Sequence, residues 1–126
     1  MPSRSLDDLK PEFRALIEKL IQRMDALGFP VYPIGTLRSP AEQDALYARG
    51  RTTGGLIVTY KKGGESPHNF GLAVDFLFIH EKWRGPWSTL GREAKKLGLV
   101  WGGDFKFRDL DHVELANWRS HVNVIP

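Results

Sequence analysis

The segment Gly71 to Ile79 constrains this chain more than any other, because it is apolar throughout except for one carboxylate, Asp75. At nine residues it is too short to cross a bilayer, which takes about 20. Leu72 to Ile79 therefore reads as a buried strand of a globular domain. A carboxylate inside such a strand is costly unless it is paired or bound to a metal. Two readings of Asp75 stand at this point: a structural ion pair or hydrogen-bonded turn, or a metal ligand.

The rest of the chain supplies the elements around that strand. Phe13, Leu16, Ile17, Leu20, Ile21, Met24 and Leu27 recur at helical spacing, so residues 11–27 read as an amphipathic helix, with Pro11 in its first turn and Gly28 as its stop. Val31 to Leu37 reads as a short strand, placed at a sheet edge by Pro33. Ser39-Pro40-Ala41-Glu42 carries the signature of a capping box and opens a second helix that runs to about Arg49. Residues 50–66 hold five glycines and form a long loop, with Ile57 to Tyr60 as a strand inside it. Pro86 to Leu97 reads as a third helix, and Leu99 to Trp101 and His112 to Leu115 as two more strands. The expected fold is α+β, a small central antiparallel sheet with flanking helices. A chain of 126 residues fits one domain, 1–126, with no separate wall-binding domain.

Composition removes several kinds of chemistry. There is no cysteine, which excludes a disulfide framework, a thiol nucleophile and thiolate-bound metal. A net charge of +3 and a pI near 9.3 favour polyanions only weakly, and the basic residues are scattered, so no nucleic-acid partner is expected. Arg92, Lys95 and Lys96 read as a solvated helix face. The N-terminus lacks an apolar stretch of signal-peptide length, so synthesis in the cytoplasm, no membrane insertion and a monomer are expected. No Gly-x-Ser-x-Gly elbow or phosphate-binding glycine loop is present. His80-Glu81 fails to start a His-Glu-x-x-His motif because position 84 is Arg84, and His80 and His121 read as surface residues.

The candidate chemistry lies in two segments. His68 ends the glycine-rich loop seven positions before Asp75, and His112 begins a strand with Asp109, Asp111 and Glu114 within three positions of it. Zinc accepts imidazole nitrogen and carboxylate oxygen, and a catalytic site keeps one position open for water. Two histidines and an aspartate would fill the other three. Each histidine alone is more often a hydrogen-bonded structural residue; together with the aspartate they make metal ligation the sharper reading.

Ser66-Pro67-His68-Asn69-Phe70-Gly71-Leu72-Ala73-Val74-Asp75 resembles the Ser-x-His-x-x-Gly-x-Ala-x-Asp signature of the D-alanyl-D-alanine carboxypeptidase and L-alanyl-D-glutamate endopeptidase family. Asp109-Leu110-Asp111-His112 is similar to its second signature, and Thr36 to Ser39 with Glu42 to Thr52 looks like its N-terminal block. Leu46 to Thr52 and Trp101 to Phe105 look most like the endopeptidase branch typical of phage endolysins. The resemblance covers about residues 31–115 and implies the small hedgehog/D,D-peptidase-like fold, one zinc ion, and the peptidoglycan stem peptide as substrate. It further implies hydrolysis of the L-alanyl-D-glutamate bond, with the protein reaching the wall through a separate pore protein.

The same resemblance implies roles residue by residue. His68, Asp75 and His112 match the zinc ligands, Asp109 the general base, and Arg38 the arginine that stabilises the oxyanion. Ser66 and Gln43 match positions near the substrate. Alternatives accompany these assignments: Arg38 pairing with an acid beside the capped helix, Ser66 as a turn residue, and Asp111 or Glu114 as the base. Asp111, adjacent to a ligand in a strand, would point to the opposite face. Rival functions are a D-alanyl-D-alanine carboxypeptidase or dipeptidase on the same fold, and a non-catalytic zinc-bearing module that binds wall peptides.

Overall fold

A computed structural model describes residues 3–122. Pro11 opens α1 (Pro11–Ala26), whose buried stripe is Phe13, Ile17, Leu20 and Met24. The chain then runs through β1 (Val31–Gly35), α2 (Pro40–Ala48), β2 (Ala73–Phe78), α3 (Trp87–Lys96), β3 (Leu99–Trp101) and β4 (His112–Leu115). The strands form one antiparallel sheet in the order β1-β2-β4-β3. This is the α+β arrangement expected from the sequence, and Pro33 does lie on an edge strand, where a missing N–H is tolerated.

Strand alternation in β2 sorts its residues between core and site. Val74, Phe76 and Phe78 share one face and are fully buried in the core with Phe13, Ile17, Leu20 and Leu90. Asp75 projects from the other face into a cleft. Burying aromatic side chains such as Phe76 and Phe78 contributes roughly 2–3 kcal/mol each. The carboxylate is therefore carried on the best-anchored strand of the molecule.

Two local expectations fail. Ile57 to Tyr60 is not a strand: no ladder reaches it, and Ile57, Val58 and Tyr60 are 47–65% exposed. Side chains of α2 and its C-terminal turn hold that loop instead, since Gln43 donates to the Lys61 carbonyl and Arg51 to that of Thr59. Asp111 lies in the turn before β4, which begins at His112, so strand alternation does not govern it. Its carboxylate comes within 4.8 Å of those of Asp75 and Asp109 rather than pointing away.

Candidate active site

Sheet register performs the first step of assembly. Asp75 in β2 sits opposite His112 in β4, so a carboxylate and an imidazole project side by side from neighbouring strands. His68 arrives on the 3-10 turn Pro67–Phe70, which Ser66 caps by accepting the His68 N–H. Gly71 then reverses the chain into β2 at φ 70°, where an added Cβ would lie 2.7 Å from the Asp8 carbonyl. Turn, left-handed glycine and strand together account for the seven-residue interval between His68 and Asp75.

The three side chains converge. His68 Nε2 is 3.2 Å from one Asp75 oxygen, and His112 Nδ1 is 3.2 Å from the other. The remaining ring nitrogens are occupied: His68 Nδ1 is 2.8 Å from the Thr36 carbonyl, which can only accept, so that nitrogen donates. His112 Nε2 is 2.7 Å from Glu114. Each histidine thus turns one fixed nitrogen toward Asp75, the arrangement that oriented metal-ligating imidazoles adopt. Two ligands at zinc distances of about 2.0–2.1 Å and tetrahedral angles lie roughly 3.4 Å apart. The 3.2 Å separations, one to each Asp75 oxygen, are close to that spacing, and with one ligand atom from each residue within 4.8 Å of the others His68, Asp75 and His112 can hold a zinc ion.

Arg38 and Asp109 flank this trio in a cleft of about 270 Å³. Arg38 is fixed three ways: its backbone N–H donates to the His68 carbonyl, its guanidinium donates to Gln43 Oε1 at 2.8 Å, and Nη2 stands 3.8 Å from Asp75. Gln43 is 1% exposed and uses its amide nitrogen on the Lys61 carbonyl at 2.7 Å. It lines the cleft, yet both ends of its amide hold protein groups. Asp109 lies 3.9 Å from His112 Nδ1 with half its side chain open to solvent. Its placement depends on Gly102, whose carbonyl accepts the Asp109 N–H at 2.9 Å.

The electrostatics follow from these contacts. Burial opposes the Asp75 charge, but hydrogen bonds from His112 and His68 and their charges overcome it and hold the carboxyl well below its ordinary range. Burial likewise opposes protonation of His112, yet Asp75 and Glu114 on its two nitrogens raise it to about 10. Burial, a hydrogen bond with Asp109 and the charges of Asp75 and Asp109 push Asp111 up to about 8. Glu114, on the same strand face as His112, is committed to the imidazole.

Comparison with known proteins places the arrangement in a family. The family model described as D-alanyl-D-alanine carboxypeptidase matches residues 59–115, a span that includes Ser66, His68, Asp75, Asp109 and His112. The peptidoglycan L-alanyl-D-glutamate endopeptidase CwlK of Bacillus subtilis (strain 168) is 37% identical over 123 residues, covering 86% of this chain and 74% of that protein. The chain belongs to the D-alanyl-D-alanine carboxypeptidase family of zinc peptidases. Solved structures with the same fold include the Serratia marcescens L-Ala D-Glu endopeptidase ChiX, with a TM-score of 0.61, 24% identity and coverage of 96% of this chain and 92% of that one. A zinc-bound mutant of the vancomycin-resistance D,D-pentapeptidase VanY matches with a TM-score of 0.68 and 16% identity, over 88% of this chain and 74% of its own.

Against the peptidase family's pattern, the structure brings together His68, Asp75, His112, Asp109, Arg38, Ser66 and Gln43 around one cleft. Two contributors escaped the sequence reading, and a third was read in another role. The Thr36 carbonyl is a backbone group with no sequence signal. Asn69 ties Gly64, Ser66 and the Arg38 carbonyl together, again without a signal. Glu114 was read as a rival base; two positions beyond His112 on the same strand face, it instead holds the imidazole.

Proposed function

We propose that this chain is a single-zinc endopeptidase that hydrolyses the L-alanyl-D-glutamate bond of the peptidoglycan stem peptide. The observation that carries the reading is the convergence of two oriented imidazoles and a carboxylate in one cleft, with a separate exposed carboxylate and a fixed guanidinium beside them. CwlK, named for that activity, supports the choice of bond.

His68 Nε2, Asp75 and His112 Nδ1 hold the ion; Thr36 and Glu114 keep the two rings in the required tautomers. Zinc, when bound, supplies Lewis-acid polarisation of the scissile carbonyl and acidifies water. Asp109 takes the proton from the attacking water and returns it to the leaving amine of glutamate. Arg38, held by Gln43, places a cation where negative charge develops on the carbonyl oxygen. Ser66 shapes the turn that carries His68 and borders the substrate space.

Within this activity, Leu46 to Thr52 and Trp101 to Phe105 support the endolysin branch, acting on the wall as a monomer after release through a separate pore protein. Digestion of purified peptidoglycan followed by mass spectrometry tests the bond. Peptides with a new D-glutamate amino terminus are expected. Release of terminal D-alanine alone would place the protein among the carboxypeptidases, and zinc-loaded protein that cuts no peptidoglycan would be a binding module.

A further inference from the structure

A second groove opens off the cleft, lined by Tyr60, Lys61, Lys106, Phe107 and Arg108, and meets it at Val58, Thr59 and Asp109. Tyr60 and Phe107 stack with ring centroids 5.5 Å apart, although they are 65% and 68% exposed. Two large aromatic rings left in water on separate loops, packed on each other, make a wall rather than a core. Lys61, Lys106 and Arg108 are exposed beside them, and none is in an ion pair among the described residues. The groove's only acid is Asp109, at its junction with the cleft.

Position relative to the chemistry decides which part of a substrate enters. The groove shares Asp109 with the cleft but not Arg38, and Gln43 reaches its edge only through the Lys61 carbonyl. On the proposed mechanism Asp109 delivers its proton to the leaving amine, so the groove continues on the leaving-group side. A glutamate that follows the scissile bond has two carboxyl groups. Only one can be used in the onward peptide link, so the other remains as a free anion next to the reacting bond.

We propose that this groove is the specificity subsite for the leaving half of the substrate: Lys61, Lys106 and Arg108 receive the free carboxylate of the glutamate, along the Tyr60–Phe107 wall. This rests on the endopeptidase reading and adds a preference for anionic over amidated stem peptides. Cations at such a rim act through charge complementarity, and their effect weakens as salt rises. Neutral sugar makes no use of three unpaired cations, which favours the peptide over the glycan strand as occupant.

The test compares zinc-loaded wild type with the Lys106→Gln/Arg108→Gln and Lys61→Gln variants on two soluble stem peptides. One carries the free glutamate carboxylate and the other its amide, each with and without the disaccharide. The wild type is expected to favour the free acid in kcat/KM by about tenfold at low salt, within the range exposed rim charges supply. The double variant should lose that preference through KM, with cleavage of the amidated peptide unchanged. Equal cleavage of acid and amide by the wild type overturns the subsite and leaves the endopeptidase reading intact. So does a variant defect that follows the disaccharide instead of the carboxylate. Cleavage of neither peptide by the wild type overturns the endopeptidase reading and the subsite with it.

Discussion

At the residue scale, the site is defined by which atom each side chain has left to offer. His112 has Asp75 on one nitrogen and Glu114 on the other, and in the metal-free protein this pair holds it as imidazolium. The sign of the pH effect follows. A histidine raised from 6.5 to about 10 contributes stability that is fully present below pH 6.5 and is lost as pH rises through 10. Zinc needs the neutral ring, so metal binding must expel that proton and tighten with rising pH. Calorimetric zinc titrations in buffers of different ionisation enthalpy should therefore show proton release near neutral pH; a heat independent of buffer would contradict it. Glu114→Gln, which keeps the hydrogen bond but not the charge, should weaken zinc about 10- to 100-fold in chelator competition. On the proposed mechanism Asp109 and Arg38 act on the substrate and not on the metal. Asp109→Asn should keep full zinc content and lose turnover by about 100-fold or more. Arg38→Ala should fold, bind zinc and turn over about 100-fold more slowly. Zinc loss in the Asp109 variant would make that residue a ligand instead.

At the element scale, precision comes from short structures that lean on one another. The 3-10 turn Gly102–Asp104 links β3 to the loop that carries Asp109, and an added Cβ at Gly102 would lie 2.2 Å from the Asp109 carbonyl and 3.0 Å from His112 Cβ. Gly102→Ala must displace that loop. Its circular dichroism should stay near that of the wild type while kcat drops, because a shift of about 1 Å in a catalytic group can cost about 100-fold. Unchanged kcat would show that the loop re-forms without consequence. Elements of this kind also mark how far sequence reasoning reaches. The helices were legible because periodicity and caps act locally, down to the Ser39–Glu42 capping box, and β2 because its apolar run has few alternatives. The convergence of His68, Asp75 and His112 was legible because ligand chemistry restricts residue type. The loop 50–66 was misread because Ile57 to Tyr60 has strand composition but pairs with neither edge strand, β1 or β3, of the sheet. The Thr36 carbonyl was invisible because any residue would supply one, and Asp111 was misplaced by extending a strand one residue too far.

At the scale of the whole molecule, core and site occupy opposite faces of one four-stranded sheet. The face of β2 bearing Val74, Phe76 and Phe78 supplies the packing against α1 and α3, and the face bearing Asp75 supplies the chemistry. A small domain can tolerate so polar a site because the apolar face beneath it is fully buried and the charges above it are mutually paired. Among the described residues no helix is long and apolar enough to cross a membrane. The most direct test of the account is to strip the protein with chelator, titrate zinc back and follow release of peptides beginning with D-glutamate from peptidoglycan. The account predicts no release from the stripped protein, a linear return with added zinc, and a plateau at about one ion per chain, set by a ligand set of three residues with one open position. Undiminished release after stripping, or a plateau at two ions, would contradict a single zinc held by His68, Asp75 and His112.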